Sequence, residues 1–392
     1  MNETFFLGRP MIRMRMVWEP SIRTRLVALA VPLILLLAGR LSGQDAARPP
    51  SAPKVDFSGV ERFLDLTAIL ERDEEPPPEA WDRLFGTPGY AVLIQREFQR
   101  DFFEEGFRLA FMPSREEDLA KRLEADRAAG GLRSRYLPHF VRARSARDTI
   151  RWELENLRTL TFVDEAVEKA AVLLPSVDPG DYPPISFVIF GPDARGYSPV
   201  VIDVLHLRDR GDFLTSFVAH EFHHYYRNRL LRLTQDRDIL WIIDQVQAEG
   251  IADQINVGEW FHDPDLFEEQ AAQPRNRAYM EWYERSPEVI GRMDALFSEM
   301  SRHPEARGEL GAELRDAVPL SGHPTGFFMA NVIIDEMGTR ALTEQIGNPF
   351  RFFLLYKEAA DRRGGDVPTF SDPAVALIRE LEARYLRRGT GA

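Results

Sequence analysis

Two histidines stand one helical turn apart, with a glutamate directly after the first: His220-Glu221-Phe222-His223-His224. Residues i and i+4 share a face only on a helix, so this segment must be helical for the two imidazoles to converge. There they can meet one ion at the roughly 2.0–2.1 Å typical of Zn–N bonds. Glu221 projects from an adjacent part of that face, where its carboxylate can take a proton from water at the metal. His223 falls off the face and reads as a bystander. In a chain with eight histidines, the pattern arises by accident roughly 1% of the time.

Two histidines leave a zinc site short of a protein ligand. One known continuation supplies a glycine and a third histidine soon after, but Arg227 and Leu230 occupy those positions. The alternative is a carboxylate from a later helix. Ile239 to Gln254 reads as that helix, with Ile242, Val246, Glu249 and Asp253 along one face. Glu249 follows His224 at a distance that allows a turn and an antiparallel return. Asp253, one turn further, can accept the second ring N–H of a metal-binding histidine and fix its tautomer. Gly250 lets the two helices approach closely, although glycine inside a helix costs about 1 kcal/mol against alanine. Alone, Glu249 and Asp253 would read as a solvated helix face. After the two-histidine helix they read as a ligand and its support.

The remaining composition narrows the setting. The formal net charge is -13, while the first forty-odd residues are net basic, so the rest is more acidic still. Such a body repels nucleic-acid phosphates and anionic membrane surfaces, and no nucleic-acid partner is expected. Between Arg25 and Arg40 runs the uncharged LVALAVPLILLLAG. As a helix it spans roughly 21 Å, short of the ~30 Å hydrocarbon core. Residues 1–44 therefore read as a signal peptide, with a weak cleavage site at Leu41-Ser42-Gly43-Gln44. Export to the periplasm, cell envelope or exterior follows. The alternative is an anchor through residues 26–39, and membrane contact is expected only in that uncleaved case. The chain has no cysteine, which excludes disulfides, a thiolate ligand, a thiol nucleophile and lipid attachment after the signal.

Residues 45–54 (DAARPPSAPK) read as a linker. Residues 55–180 read as a helical N-terminal region. Pro78 leads into a helix with Trp81 and Leu84, Thr87-Pro88-Gly89 marks a turn, and Phe98, Phe102, Phe103 and Phe107 form a stripe read as core. Residues 181–392 read as the catalytic region. After a turn at Asp178-Pro179-Gly180, Ile185–Phe190 and Pro199–Leu207 read as strands separated by a loop. Asp212 reads as the N-cap of the helix that carries His220. The second strand offers an edge along which an extended peptide can add. The expected class is α+β and predominantly helical, with a small sheet just before the two-histidine helix.

At this point the chain resembles a known group. His220-Glu221-x-x-His224 followed by Glu249-Gly250-Ile251-Ala252-Asp253 resembles the gluzincins, the thermolysin-like clan of zinc peptidases. It is similar in particular to a bacterial family of zinc-dependent peptidases classed as a domain of unknown function. That family shows a Trp-x-x-Leu-x-x-Thr-Pro-Gly-Tyr pattern, matched by Trp81, Leu84, Thr87, Pro88, Gly89 and Tyr90. It also shows His-Pro-x-Gly near the C-terminus, matched by His323, Pro324 and Gly326. The resemblance covers residues 55–385. It implies a zincin-like catalytic core, Zn2+ on His220, His224 and Glu249, Glu221 as general base, and peptide or protein substrates. A later His or Tyr in this clan often donates to the carbonyl oxygen, and His323 is the candidate, on a loop before a helix from Phe327. The alternative is a loop histidine without a role. Phe327 and Phe328 stand where relatives tend to have tyrosines, which argues against a tyrosine hydroxyl acting there. His139, His206, His262 and His303 read as surface or packing residues. Three functions fit: an exported peptidase, a zinc hydrolase of another amide or ester, or a non-catalytic anchored binding protein with a relic site. An intact Glu221 argues against the last, since a relic site needs no base. The sequence carries no signal for an oligomeric state.

Overall fold

Aromatic residues and prolines lay out the first half of the chain. The computed structural model describes residues 54–386, apart from 131, 160, 178–180, 232, 234–237 and 366. The expected signal segment, all of the linker except Lys54, and the turn at Asp178-Pro179-Gly180 lie outside the described residues. Helix α1 (Ser58–Leu70) turns Val60, Phe63, Leu66 and Leu70 inward. Prolines at the first turn open α2 (Pro78–Phe85) and α3 (Pro88–Arg96), where φ is already set and the missing N–H has no helical partner anyway. Thr87-Pro88-Gly89 is thus a helix start and not a free turn: Thr87 is extended and Pro88 begins α3. In α4 (Arg100–Phe111), Phe103 and Phe107 are buried, and the Phe107 ring lies 4.8 Å from Phe140 and 5.2 Å from Phe63. Each such ring withdrawn from water contributes about 1.5–3 kcal/mol, so the aromatic stripe is core. Helices α5 (Glu116–Ala129), α6 (Tyr136–Ser145), α7 (Arg147–Leu157) and α8 (Phe162–Ala171) complete this stretch.

A four-stranded sheet follows, in the order β1-β2-β4-β3. Its strands are β1 (Val55–Asp56), β2 (Ile185–Val188), β3 (Ala194–Arg195) and β4 (Val200–Asp203). The pairs β1–β2 and β2–β4 are parallel, with Val55 opposite Ile185 and Ile185 opposite Val200. The β3–β4 pair is antiparallel, with Ala194 opposite Ile202. Strands β2 and β4 are buried throughout, as continuous apolar runs between neighbours should be.

Both expected strands are shorter than their apolar runs. The run from Pro199 to Leu207 breaks at Asp203, whose carboxylate accepts the backbone N–H of His206 at 2.9 Å and caps α9 (Val204–Arg208). The loop expected between the two strands contains β3. Asp212 does not cap the next helix. It lies inside a 3-10 turn, Gly211–Phe213, and not in the extended backbone that a capping residue needs. That turn leads directly into α10 (Leu214–Leu230) without a side-chain cap.

Helix α11 (Asp238–Phe261) runs beyond the expected Gln254. Asp263 caps α12 (Pro264–Ala272) through the N–H of Asp265, and α13 (Pro274–Glu284), α14 (Ser286–Arg302) and α15 (Arg307–Ala317) follow. The chain closes with α16 (His323–Met337), α17 (Thr339–Thr343), α18 (Pro349–Arg363) and α19 (Asp372–Tyr385). The protein is therefore α+β and predominantly helical. One apolar core extends from Val60 in α1 to Tyr385 in α19. A smaller one gathers Val257, Trp260 and Phe327, with half-buried rings from α12 and α13 against it. Among the described residues, no helix is long and apolar enough to cross a membrane.

Candidate metal centre

Helices α10 and α11 are locked together by a buried guanidinium. Arg227, which occupies the position where a glycine would continue a three-histidine motif, donates to Asp244 Oδ1 at 2.5 Å and to Gln247 Oε1 at 2.7 Å. All three residues lie close to the facing stretch of both helices, so their register is fixed. On the outer side of α10, Gly196 follows β3 and sits against the helix. A Cβ there would overlap that of His224 and approach the carbonyl oxygen of Glu221 to 2.9 Å. Only glycine lets the strand pass that close.

Within this frame three donor atoms converge. His220 Nε2 and His224 Nε2 are 2.9 Å apart, His224 Nε2 is 3.0 Å from Glu249 Oε2, and His220 Nε2 is 3.3 Å from the same oxygen. Donors 2.0–2.1 Å from a common tetrahedral centre stand roughly 3.3 Å apart, so the triangle has the size that a zinc ion requires. Two imidazoles and one carboxylate are also a donor set that zinc favours. Glu221, on the same helix, is buried and outside the triangle. His223 is buried on another side of α10, with Nε2 3.4 Å from the Leu173 carbonyl oxygen.

His323 joins the group from α16. It is the first residue of that helix and not part of a preceding loop, because the loop ends one residue earlier at Gly322. Leu320, Ser321 and Gly322 adopt left-handed backbone in succession, with φ of 47°, 55° and 93°. This tight reversal swings His323 onto α11, where its Nδ1 lies 3.0 Å from Asp253 Oδ2 and its Nε2 lies 3.3 Å from Glu249 Oε2. Gly250 has a different role from the expected one. It does not ease α11 toward α10; a Cβ on it would overlap the backbone of Gly326 in α16. The close approach is between α11 and α16.

Asp253 serves both sides. Its Oδ1 is 3.4 Å from His220 Nδ1, and its Oδ2 takes His323 Nδ1. Two further residues here escaped the sequence reading. Asn256 Oδ1 lies 3.3 Å from His220 Nδ1 and continues the periodicity of Glu249 and Asp253, so extending the helix pattern by one turn would have found it. Tyr279 of α13 donates its hydroxyl to Asp253 Oδ2 at 2.8 Å. No spacing in the sequence marks it. With phenylalanine at 327 and 328, the tyrosine hydroxyl of the site comes from another helix altogether.

The charges shift accordingly. Burial, only partly offset by His220 and His224, raises the pKa of Glu221. Burial also presses on Glu249, but His224 and His323 outweigh it and hold its carboxylate well below the usual range. His323 loses solvation, yet Glu249 and Asp253 raise it to about 10. For His220, burial is likewise overcome by the hydrogen bond to Glu249 and by Asp253, and its pKa rises. Carboxylates clustered at these imidazoles supply negative charge that a divalent cation can take over, displacing the proton from His220 as it binds.

The strand expected to offer a substrate edge does not. β4 lies between β2 and β3, so both of its sides are paired. On the outer strand, the N–H of Ala194 donates to Asp193 Oδ1 at 3.0 Å, and its carbonyl accepts from the Arg195 guanidinium at 2.7 Å. Those outward backbone groups are already partnered.

Among the remaining histidines, His139 is buried, with Nε2 2.9 Å from Asp203 Oδ2. His206 contacts Arg210, His262 packs near Phe261 and Phe327, and His303 is exposed beside Glu299 and Glu305.

Two imidazoles and one carboxylate at this spacing, on a buried helix pair, form a group that could hold a metal ion. A family model described as "Putative zinc dependent peptidase (DUF5700)" matches residues 81–364, and the chain belongs to that family. Zinc is therefore its metal, and a peptidase role on peptide or protein substrates is supported. Comparison with curated proteins and with solved structures gave no match.

Proposed function

We propose that this chain is an exported zinc peptidase of the gluzincin type, in which His220, His224 and Glu249 hold the metal and Glu221 is the general base. The observation that carries the reading is the triangle of Nε2, Nε2 and Oε2 atoms, 2.9–3.3 Å on each side, built from two locked helices. When bound there, zinc supplies Lewis acidity toward the scissile carbonyl and toward water.

Glu221 sits beside both histidines, and its raised pKa suits a group that must take up a proton and release it within one turnover. It accepts a proton from the attacking water and passes it to the leaving amine. Glu249 and Asp253 favour the protonated form of His323, which donates to the carbonyl oxygen as negative charge develops there. Asp253 holds the rear nitrogen of His323, and Asp253 and Asn256 together flank that of His220, fixing which nitrogen of each ring faces forward.

Residues 181–392 form the catalytic region in this reading, and 55–180 the helical region that supports it. Export rests on the uncharged segment 26–39, and N-terminal sequencing of exported material beginning near residues 44–48 would match cleavage. An intact segment in a membrane fraction would mean an anchor instead.

The central test is Glu221→Gln, assayed with a mixed peptide library beside zinc stoichiometry. Hydrolysis is expected to fall about 10²–10⁴-fold with about one zinc per chain retained. An unchanged rate sinks the mechanism. Loss of zinc from the folded variant would make Glu221 a ligand. A wild-type protein that cleaves esters or other amides but no peptide would move the assignment to another zinc hydrolase.

A further inference from the structure

The hydroxyl of Tyr279 is not needed to complete the metal triangle, yet it is aimed into the site. It reaches Asp253 Oδ2 at 2.8 Å, on the same oxygen that His323 Nδ1 meets at 3.0 Å. The other oxygen of Asp253 faces His220 Nδ1 at 3.4 Å, beside Asn256 Oδ1 at 3.3 Å. One buried carboxylate thus divides its two oxygens between two histidines of different duty. A carboxylate free to rotate about its terminal bond could not keep that division. The tyrosine comes from α13, which follows α12 and packs through the smaller aromatic core, its ring 6.3 Å from that of Phe327. Burial, and then the charge of Asp253, keep the hydroxyl protonated, so it is a permanent donor.

We propose that Tyr279 is a positioning residue that pins the Asp253 carboxylate, so that it orients His220 toward the metal and His323 toward the substrate at once. α13 thereby contributes to metal affinity although it carries no ligand. The inference rests on the metal site proposed above.

The experiment uses the full chain and a chelator of known zinc affinity in competition. Tyr279→Phe keeps the ring against Phe327 and removes only the hydroxyl. Zinc affinity is expected to fall about 10-fold, at the lower end of the effect of outer hydrogen-bond partners, with kcat reduced and KM little changed. In an Asp253→Asn background, the further loss from Tyr279→Phe should shrink toward none, because both act through one carboxylate. Tyr283→Phe, which alters the same aromatic group without touching Asp253, should leave zinc affinity at the wild-type level. Wild-type affinity and kcat in Tyr279→Phe would overturn the proposal. So would an equal loss in Tyr283→Phe, or additive losses in the double variant. If the wild-type chain itself takes up no zinc, the metal site fails, and that result is read before any variant is compared.

Discussion

Among the described residues, histidine meets buried carboxylate at two places of different construction. At the first, His139 Nε2 meets Asp203 Oδ2, and the backbone N–H groups of Phe190, Gly191 and His206 converge on the same carboxylate. Three of its four donors are main chain, fixed by α9 and the turn after β2. At the second, the partners of Glu249 are all imidazoles: His220, His224 and His323. Main-chain donors cannot be withdrawn without unfolding a strand or a helix end, so Asp203 is permanently satisfied. Imidazole nitrogens gathered at a point can turn the same lone pairs to a cation. What separates a structural histidine from a proposed ligand here is who else holds the carboxylate, not burial or contact distance.

That contrast can be broken most directly by deleting one histidine from each place. His220→Ala, like Glu249→Ala, should lose zinc by more than the about 10–100-fold that an outer partner costs, while the chain stays folded. His139→Ala should keep about one zinc per chain and lose about 2–3 kcal/mol of folding stability instead, through a missing hydrogen bond to a buried carboxylate. Elemental analysis and denaturant melts on the same preparations decide it. Zinc lost from His139→Ala, or kept by His220→Ala, would erase the distinction.

A smaller effect sharpens the structural side. His206, on α9 next to the Asp203 cap, has its pKa pushed well below the ordinary value, by burial and then by Arg210, with His139, Arg135 and Arg142 adding to it. The folded protein keeps this ring neutral, whereas the unfolded chain protonates it below about pH 6.5. Stability from this residue is therefore full above that pH and falls as pH drops through it. Thermal midpoints followed from pH 8 to 5 should decline less on the acid side in His206→Gln than in wild type. Parallel curves for the two would show that His206 is not held neutral.

Much of the site was legible because its residues obey one local rule. His220, Glu221, His224, Glu249 and Asp253 are placed by helical periodicity on two helices, and the structure brings the two histidines and Glu249 into one group. Reading failed where the deciding partner was distant or where a cap overrode an apolar run. The run after Pro199 looks like nine residues of strand, and only the Asp203 side chain, folding back on His206, shows that half of it is helix. The position of β4 inside the sheet depends on β3, two residues long and without a pattern of its own. Tyr279 reaches Asp253 from a helix 26 positions later along the chain, a distance no motif encodes.

The contact of Gly250 with Gly326 has a further consequence. Most helix interfaces have a cushion of side chains that can shift by a rotamer when a neighbour changes. Here main chain lies on main chain, and a Cβ on Gly326 would come within 2.8 Å of Gly250 Cα. Such a seam has no partly seated position: the helices either close on each other or stand apart by the width of a methyl group. His323, one turn before Gly326, therefore inherits its place from the seam. Drift at Gly326 would move it off Glu249 and Asp253 while the triangle of His220, His224 and Glu249 stays on α10 and α11, so under the proposed roles the proton donor goes before the metal.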